Sequence, residues 1–513
     1  MLVPALTSDW SYISRNEIPV RGDSENMDYR QLLGRCATGA KERGAWIIVL
    51  FPALYMFVYI PYFGVNVPFR DGWEIPFLLG QFFSDQLFLN DLFAQHNEHR
   101  PFFPRAIILL LSLLVEYNSI ALVYVSYVLL ALVSYLLWRQ FDSDVPIEDG
   151  TLKLWLFSPI IWLVFSLRKH SNLLMGYDIQ MFLMIFCVVL AIYLLSTHDS
   201  VDQYLLLAIL SAFVASFSRI EGLVVWPIGL VLIGLSADEI IKKGSVWVGS
   251  SVFTLALYFH GWSQPASSPS LSNPLFNPLD TIGYFFVVLG SPLMFYGEGF
   301  SVRGFSPDPA LVLSVILLIG VFAAITVLLF LYLAYDRGRL RISDYTFWIG
   351  ILLFPLAISG MLTIGRSGFG IVQATSSRYT AITAFLYIAI YAAFSITLFD
   401  GEVHTGSIEE NVHYVMVVLL VGGILVGYAG GTVAEVNRSA NLNDACHAVL
   451  DYEHSSGDSM SILTRPNESI ERIRDGAAIL DRHDLGPFHP RQSCRWRPIA
   501  GLMSISVARS WHP

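Results

Sequence analysis

Charge is scarce in this chain of 513 residues, of which only 14% are Asp, Glu, Lys or Arg. An ordinary soluble domain carries about 25%. Hydrophobic residues make up 54%, and many stand in blocks such as ALVYVSYVLLALVSYLLW. Blocks of about 20 apolar residues match a hydrocarbon core of about 30 Å. The composition therefore excludes a soluble helical bundle and predicts an all-α polytopic membrane protein.

Familiar catalytic and metal-binding motifs are also missing. The chain has no GxSxG, HExxH or dinucleotide-binding fingerprint in a suitable context, and no spaced Cys/His zinc set. It has four cysteines and no CxxC pattern. Cys446 and Cys494 share the polar C-terminal tail, so they can form a disulfide if that tail lies in an oxidising compartment. The start, MLVPALTSDW, lacks the features of a cleaved signal peptide.

The apolar runs predict about 11 to 13 transmembrane helices. The longer runs are 45–64, 119–138, 177–196, 309–335, 344–363, 380–399 and 413–432, and the shorter ones are 152–167, 203–218, 221–236 and 244–260. Two further runs are ambiguous. Residues 106–117 give only about 18 Å of helix, and residues 281–297 are interrupted by Gly290-Ser291-Pro292, which suits a re-entrant segment.

Basic segments favour eleven spans. The N-terminal segment, Lys242 with Lys243, and the loop from Arg337 to Arg341 all fall in the cytoplasm in that arrangement. Residues 1–44 then form a cytoplasmic segment, 45–432 the transmembrane domain and 433–513 an extracytoplasmic tail. The first outer loop is 65–118. If both ambiguous runs cross instead, there are thirteen spans and the part between about 139 and 280 inverts.

The first outer loop opens with VPFRDGWEIPF, which places Asp71 and Glu74 just after a span. A partly desolvated carboxylate beside aromatic residues has a raised pKa and can act as a general base. The alternative is structural, with Asp71 in a turn and Glu74 at the start of a helix.

The same loop ends with QHNEHRPFFPR. His96 and His99 share one face if this stretch is helical, and Glu98 adds an oxygen ligand, so a divalent metal site is one interpretation. Arg100 and Arg105 suit a phosphate, because guanidinium offers a two-pronged hydrogen-bond donor. The alternative is an interfacial helix that faces lipid headgroups.

Later outer loops add further candidates. Asp178, in LLMGYDIQ, lies at the mouth of a span, where a carboxylate either serves function or complements a helix dipole. Arg219 and Glu221 are close enough to pair. The loop TIGRSGFGIVQATSSRYT offers Arg366, Arg378 and Tyr379 among glycines, a composition that suits an anion or, alternatively, lipid phosphates.

This layout resembles the GT-C superfamily of integral membrane glycosyltransferases. The RDGWE stretch resembles the family's acidic motif in a long first outer loop, and LLMGYDIQ resembles a second acidic position in the next outer loop. The resemblance implies juxtamembrane helices in 65–118, a polyprenyl-phosphate-linked sugar as donor, and Asp71 as the catalytic carboxylate. The single aspartate, where some relatives carry paired acids, leaves metal dependence open.

The expected activity is therefore inverting transfer of a sugar to a glycan, lipid or protein acceptor at the outer face of the cell membrane. Arg366, Arg378 or Arg100 would meet the donor phosphate. One alternative is a lipid or polysaccharide transporter, which predicts polar residues near mid-membrane. Most spans here lack charge, which counts against it. The other alternative is a non-catalytic membrane scaffold.

Overall fold

The computed structural model describes residues 29–236, 239–265, 269–270, 272–296, 308–337, 342–399, 408–464 and 469–495. The N-terminal residues 1–28 and the basic loop at 338–341, both used above for orientation, lie outside these ranges. All regular secondary-structure elements in the described part of the chain are helices. The expected all-α architecture is thus confirmed.

The first half of the chain contains helices α1 to α10. They are α1 Tyr29–Phe63, α2 Glu74–Phe83, α3 Leu89–Phe93, α4 Phe102–Val115, α5 Ser119–Asp144, α6 Gly150–Val164, α7 His170–Leu173, α8 Ile179–Thr197, α9 Gln203–Ser216 and α10 Val225–Ser236. The second half contains α11 Ile240–Phe259, α12 Asn273–Phe276, α13 Pro278–Gly290, α14 Pro309–Arg337, α15 Thr346–Arg366, α16 Ser377–Phe399, α17 Ile408–Leu450, α18 Gly457–Met460 and α19 Ile470–Arg482.

Eight helical segments of the described chain are long and apolar enough to cross a membrane. They are Lys41–Phe63, Ser119–Asp144, Gly150–Leu173, Gly176–Thr197, Pro309–Tyr332, Thr346–Phe369, Ser377–Phe399 and Glu410–Leu450. The other three expected spans are also helical, but α9 and α10 have only 14 and 12 residues, and α11 carries two lysines in its first turn. These lengths and compositions support a multi-pass helical membrane protein.

Both ambiguous runs form short helices. Helix α4 has 14 residues and α13 has 13, which correspond to about 20 Å each. Helix α13 ends at Gly290, and Ser291–Leu293 continue as a turn of 3-10 helix. The break therefore falls at the Gly-Ser-Pro sequence, as predicted.

The expected boundary at Thr432 lies inside a continuous helix. Helix α17 runs for 43 residues, so it extends about 27 Å past that boundary. The extension contains many polar residues, so the sequence did not suggest a continuing helix. Five residues along it are nevertheless buried: Glu435, Ser439, Leu442, Cys446 and Val449. Their spacing marks one helix face that packs against the protein. The polar tail after the helix thus begins at Asp451.

The helix ends gather at two sides of the bundle. One side, here called the site end, holds the end of α1, the start of α5, the α9–α10 turn and the α15–α16 loop. The other side, the opposite end, holds Asp144, which accepts a hydrogen bond from the Trp348 indole at 2.8 Å. It also holds Lys243, whose ammonium donates to the His198 carbonyl at 2.5 Å. Unusual polar residues concentrate at the site end.

The C-terminal tail is tied to the site end. Cys446 and Cys494 form a disulfide with their Cα atoms 5.8 Å apart, within the range that such a bond requires. The backbone amide of Asn66 donates to the Cys494 carbonyl at 2.8 Å. The disulfide that the sequence left open is therefore present, and it holds the tail against the first loop.

Candidate functional site

A short 3-10 helix, Arg70–Trp73, carries the first candidate carboxylate. Trp73 is fully buried and Gly72 packs against Pro68 and Tyr177, so these contacts fix the position of the turn. The Asp71 side chain keeps 29% of its surface exposed. The chain therefore presents this carboxylate at a partly desolvated surface, as the general-base hypothesis requires.

His96 lies between the two acidic residues of the first loop. Its Nε2 is 3.7 Å from an Asp71 carboxylate oxygen, and its Nδ1 is 3.4 Å from one of Glu74. Burial disfavours the charged imidazolium, but the two carboxylates outweigh burial and raise the pKa of His96. Asp71, Glu74 and His96 thus form one compact charged group, here called the His96 cluster.

Glu74 contacts two arginines as well as His96. It accepts a hydrogen bond from Arg472 of the tail at 2.6 Å, and the Arg105 guanidinium lies 3.9 Å away. Burial opposes ionisation, yet His96 and the two arginines lower the pKa of Glu74. These cations therefore favour the ionised form of Glu74 beside His96.

The stretch 96–99 is a tight turn, which corrects the expectation of a shared helix face. The backbone amides of His96 and His99 donate to each other's carbonyls at 2.8 and 2.9 Å, and Asn97 has a positive φ of 51°. The two side chains therefore diverge. His99 is buried near Glu98 and Glu221, each 3.8 Å away.

His96 and His99 differ in the direction of their pKa shifts as well as in orientation. Burial, reinforced by the nearby Arg219, lowers the pKa of His99 to about 4. Its imidazole is therefore neutral at physiological pH, whereas the carboxylates shift the pKa of His96 in the opposite direction. A single motif thus places two histidines in electrostatically different surroundings.

The expected metal set does not assemble. No group of three or more His, Cys, Asp or Glu side chains that could hold a metal ion occurs in the described part of the chain. His96, Glu98 and His99 face different partners, and the Asp178 carboxylate accepts a hydrogen bond from Asn172 at 2.5 Å. These four residues therefore do not form one group of possible metal ligands in the described part, because the turn directs His96, Glu98 and His99 to different partners.

The expected phosphate-binding role of Arg100 and Arg105 is also corrected, because both guanidinium groups donate hydrogen bonds to backbone carbonyls. Arg100 donates to the carbonyls of Phe93, Tyr258 and His260 at 2.6 to 3.1 Å. Arg105 is 3% exposed and donates at 2.5 to 3.2 Å to three carbonyls of the 91–94 segment. These arginines hold the loop together and are not available to a phosphate.

A second charged group lies at the α9–α10 turn. Arg219 forms two hydrogen bonds with Glu221, at 2.9 and 3.1 Å, so the expected pairing is confirmed. Arg366 forms a salt bridge with Glu98. The Arg366 charge is thus largely neutralised by a protein carboxylate.

Asp178 connects these groups. It is buried, with 4% of its surface exposed, and it interacts electrostatically with Arg219, Asp71 and Arg378. The structure therefore brings the acidic positions of the first and second outer loops into one site, together with arginines from distant parts of the chain.

Three guanidinium groups meet beside Asp71: Arg70, Arg378 and Arg438, here called the arginine cluster. Burial, followed by the positive charges of Arg438 and Arg378, lowers the pKa of Arg70, and Asp71 and Asp178 only partly offset this. Within the described residues, neither Arg70 nor Arg378 has a carboxylate within 4.0 Å, and both are exposed. The positive charges of Arg70 and Arg378 therefore create a local positive potential that favours an anion.

Arg438 and Tyr379 shape this cluster. Arg438 is held by Glu435 at 2.9 Å and lies over the Phe69 ring. The Arg378 guanidinium lies 5.1 Å from the centroid of the Tyr379 ring. Tyr379 is itself buried and accepts a hydrogen bond from Gln373 at 2.6 Å, so it orients Arg378 from below.

Sequence reasoning missed Arg70, Arg438 and Arg472. Arg70 stands directly before Asp71, a signal that was available in the RDGWE motif. The other two lie in polar segments beyond Thr432. The stretch PNESIERIRDGAAILDRHDLG around Arg472 has the apolar spacing of an amphipathic helix, but that spacing does not indicate that Arg472 reaches the first loop. Comparisons with protein-family models, curated proteins and solved structures found no match to this chain.

The raised pKa of His96 predicts a pH-dependent contribution to stability. A group whose pKa rises on folding stabilises fully below its unfolded value of about 6.5, and that stabilisation disappears as pH rises through the folded pKa. His96→Gln should therefore lower the melting temperature most at about pH 6 and progressively less at higher pH. Thermal unfolding of the detergent-purified protein from about pH 5.5 to 9 measures this. If the difference in melting temperature between wild type and variant stays constant over this pH range, the prediction is contradicted.

Proposed function

We propose that this chain is a GT-C-type glycosyltransferase that moves a sugar from a polyprenyl-phosphate donor to an acceptor hydroxyl, with inversion. One observation carries the proposal. Arg70 and Arg378, which have no carboxylate within 4.0 Å among the described residues, lie beside a partly desolvated carboxylate, Asp71. A phosphate leaving group needs the cations and an acceptor hydroxyl needs the base.

The proposed reaction is a single displacement. The acceptor oxygen forms a bond to the anomeric carbon as the bond from that carbon to the phosphate oxygen breaks. The proton of the acceptor hydroxyl passes to the Asp71 carboxylate, and the bonding electrons leave with polyprenyl phosphate. The additional negative charge on the phosphate is stabilised by Arg70 and Arg378.

The remaining site residues have supporting roles in this proposal. His96 lies between Glu74 and Asp71, with its Nε2 3.7 Å from an Asp71 carboxylate oxygen, and in this proposal it positions the Asp71 carboxylate electrostatically. Asp178 places a second negative charge near Asp71, which favours proton uptake there. The Glu98–Arg366 and Arg219–Glu221 ion pairs lie next to the site and contribute charged groups to its surroundings.

We further propose eleven membrane crossings, with the site end outside the cytoplasm. The α9–α10 turn lies at the site end, Lys243 after α10 at the opposite end, and Tyr258 near the end of α11 beside Arg100 again at the site end. This alternation fits helices that cross one after another. The disulfide supports an oxidising compartment at the site end, and lysines at the opposite end favour the cytoplasm there.

The decisive experiment supplies the purified protein in liposomes with a panel of polyprenyl-phosphate sugars. The expected result is release of polyprenyl phosphate together with a sugar linked to a hydroxyl acceptor. Thin-layer chromatography and mass spectrometry measure both products. Movement of the intact donor across the bilayer without cleavage supports the transporter alternative, and neither cleavage nor movement across a full panel supports the scaffold.

A further inference from the structure

The C-terminal tail packs directly on the helix that carries Glu74. A Cβ atom added at Gly476 of α19 would lie 2.8 Å from the Trp73 ring, and one added at Gly80 of α2 would lie 3.2 Å from Ile479. Two helices approach this closely only where small residues remove the intervening side chains. Glycines on both partners therefore allow α19 and α2 to meet at short range.

The contact continues along both helices. The Phe83 and His483 rings stack with centroids 4.6 Å apart. The Arg472 guanidinium lies 4.9 Å from the centroid of the Phe77 ring, and the same group donates to Glu74 at 2.6 Å. Arg472 thus joins the docking surface to the His96 cluster.

The end of the tail is fastened at a second place. Gln492 accepts hydrogen bonds from the side-chain amides of Asn66 and Asn118 at 2.6 and 3.1 Å, and it donates to the Val115 carbonyl at 3.0 Å. The neighbouring Cys494 is covalently bound to Cys446 of α17. The tail is therefore clamped at both sides of the first loop, between the end of α1 and the start of α5.

From these contacts we infer that the tail completes the active site, and that Arg472 is a positioning residue for the reaction. Arg472 fixes Glu74, Glu74 fixes His96, and His96 orients Asp71. The disulfide keeps α19 in place while the protein works. This inference rests on the proposed function, because it assigns a role in the transfer step that Asp71 performs.

The alternative is that the tail only stabilises the fold. A stabilising role predicts that loss of Arg472 changes the amount of folded protein and leaves the turnover of each folded molecule unchanged. A positioning role predicts a lower kcat with an unchanged donor KM, since the donor-binding arginines lie outside this contact. The Arg472 side chain is 36% exposed, so its replacement leaves the core intact.

The test compares Arg472→Ala, Arg472→Lys and Arg482→Ala in liposomes. Arg482 is exposed on the same helix and serves as the matched control. We expect kcat to fall about 10- to 100-fold in Arg472→Ala, to recover in part with lysine, and to stay at the wild-type value in Arg482→Ala. Donor KM should change less than twofold in all three variants.

Docking has a readout that needs no activity. Gly80→Cys combined with Ile479→Cys should form a cross-link in oxidising buffer, since a Cβ at position 80 already lies within contact distance of residue 479. An Arg472→Ala variant with wild-type kcat, in a wild-type protein that does transfer sugar, overturns this inference alone. A cross-link that fails to form also overturns it. If the wild-type protein transfers no sugar, the proposed function fails as well, and that result is distinct.

Discussion

Asp71→Asn is expected to lower the turnover of a lipid-linked sugar by about 10²- to 10⁴-fold, the range that a positioned general base contributes. Asparagine keeps the size of aspartate and loses the ability to accept a proton. The donor phosphate in our proposal meets Arg70 and Arg378, so the variant should keep its donor KM. Initial rates of polyprenyl phosphate release at several donor concentrations separate these two parameters.

Asp85→Asn is the matched control for this experiment. Asp85 lies in the same loop, is exposed, and has a positive φ of 55° that asparagine also tolerates. It should retain wild-type turnover and melting temperature. If Asp71→Asn transfers sugar at the wild-type rate, Asp71 is not the base. A variant that loses kcat through misfolding would be recognised by its lower melting temperature.

Sequence reasoning was most successful where a local property decides the structure. A run of about 20 apolar residues becomes a membrane-length helix whatever its neighbours are, and the break at Gly290-Ser291-Pro292 follows from the proline and its missing amide. The same reasoning failed at Thr432. There the buried face of α17 continues at helical spacing but includes the polar residues Glu435 and Ser439, so composition concealed it.

The site was predicted less well because long-range contacts decide where each charged side chain goes. Arg100 and Arg378 look alike in sequence, both at the edge of an outer loop. Arg100 donates hydrogen bonds to backbone carbonyls at the end of α11, whereas Arg378 remains exposed near Asp178. The packing of distant helices decides the different surroundings of Arg100 and Arg378. The local sequence of each loop does not predict that packing.

The turn at 96–99 shows the same limit at short range. A spacing of three places two histidines on one face only if the backbone is helical. Asn97 adopts a positive φ instead, a conformation that asparagine enters more readily than most residues. That single residue sends His96 to Asp71 and His99 to the α9–α10 turn. It thereby separates side chains that a shared metal site would need to bring together.

The arginine cluster gives the second large expected effect. Replacing both Arg70 and Arg378 with methionine should lower kcat/KM for the donor by at least about 10²-fold, since loss of one preorganised electrostatic contact typically costs about 2.7–4 kcal/mol in the barrier. Methionine keeps much of the side-chain volume and removes the charge. Donor KM should rise, and inhibition by free polyprenyl phosphate should weaken in parallel, because product and donor share the phosphate.

Lysine replacements and a distant arginine complete this experiment. Arg70→Lys with Arg378→Lys should recover part of the loss, since lysine restores the charge without the planar fork. Arg139→Met, an exposed position near the opposite end of the bundle, should change neither donor KM nor inhibition. If the double methionine variant binds polyprenyl phosphate as tightly as the wild type, the phosphate does not lie at these arginines. The cluster would then require another anion, and Asp71 would lose the leaving group that our mechanism places beside it.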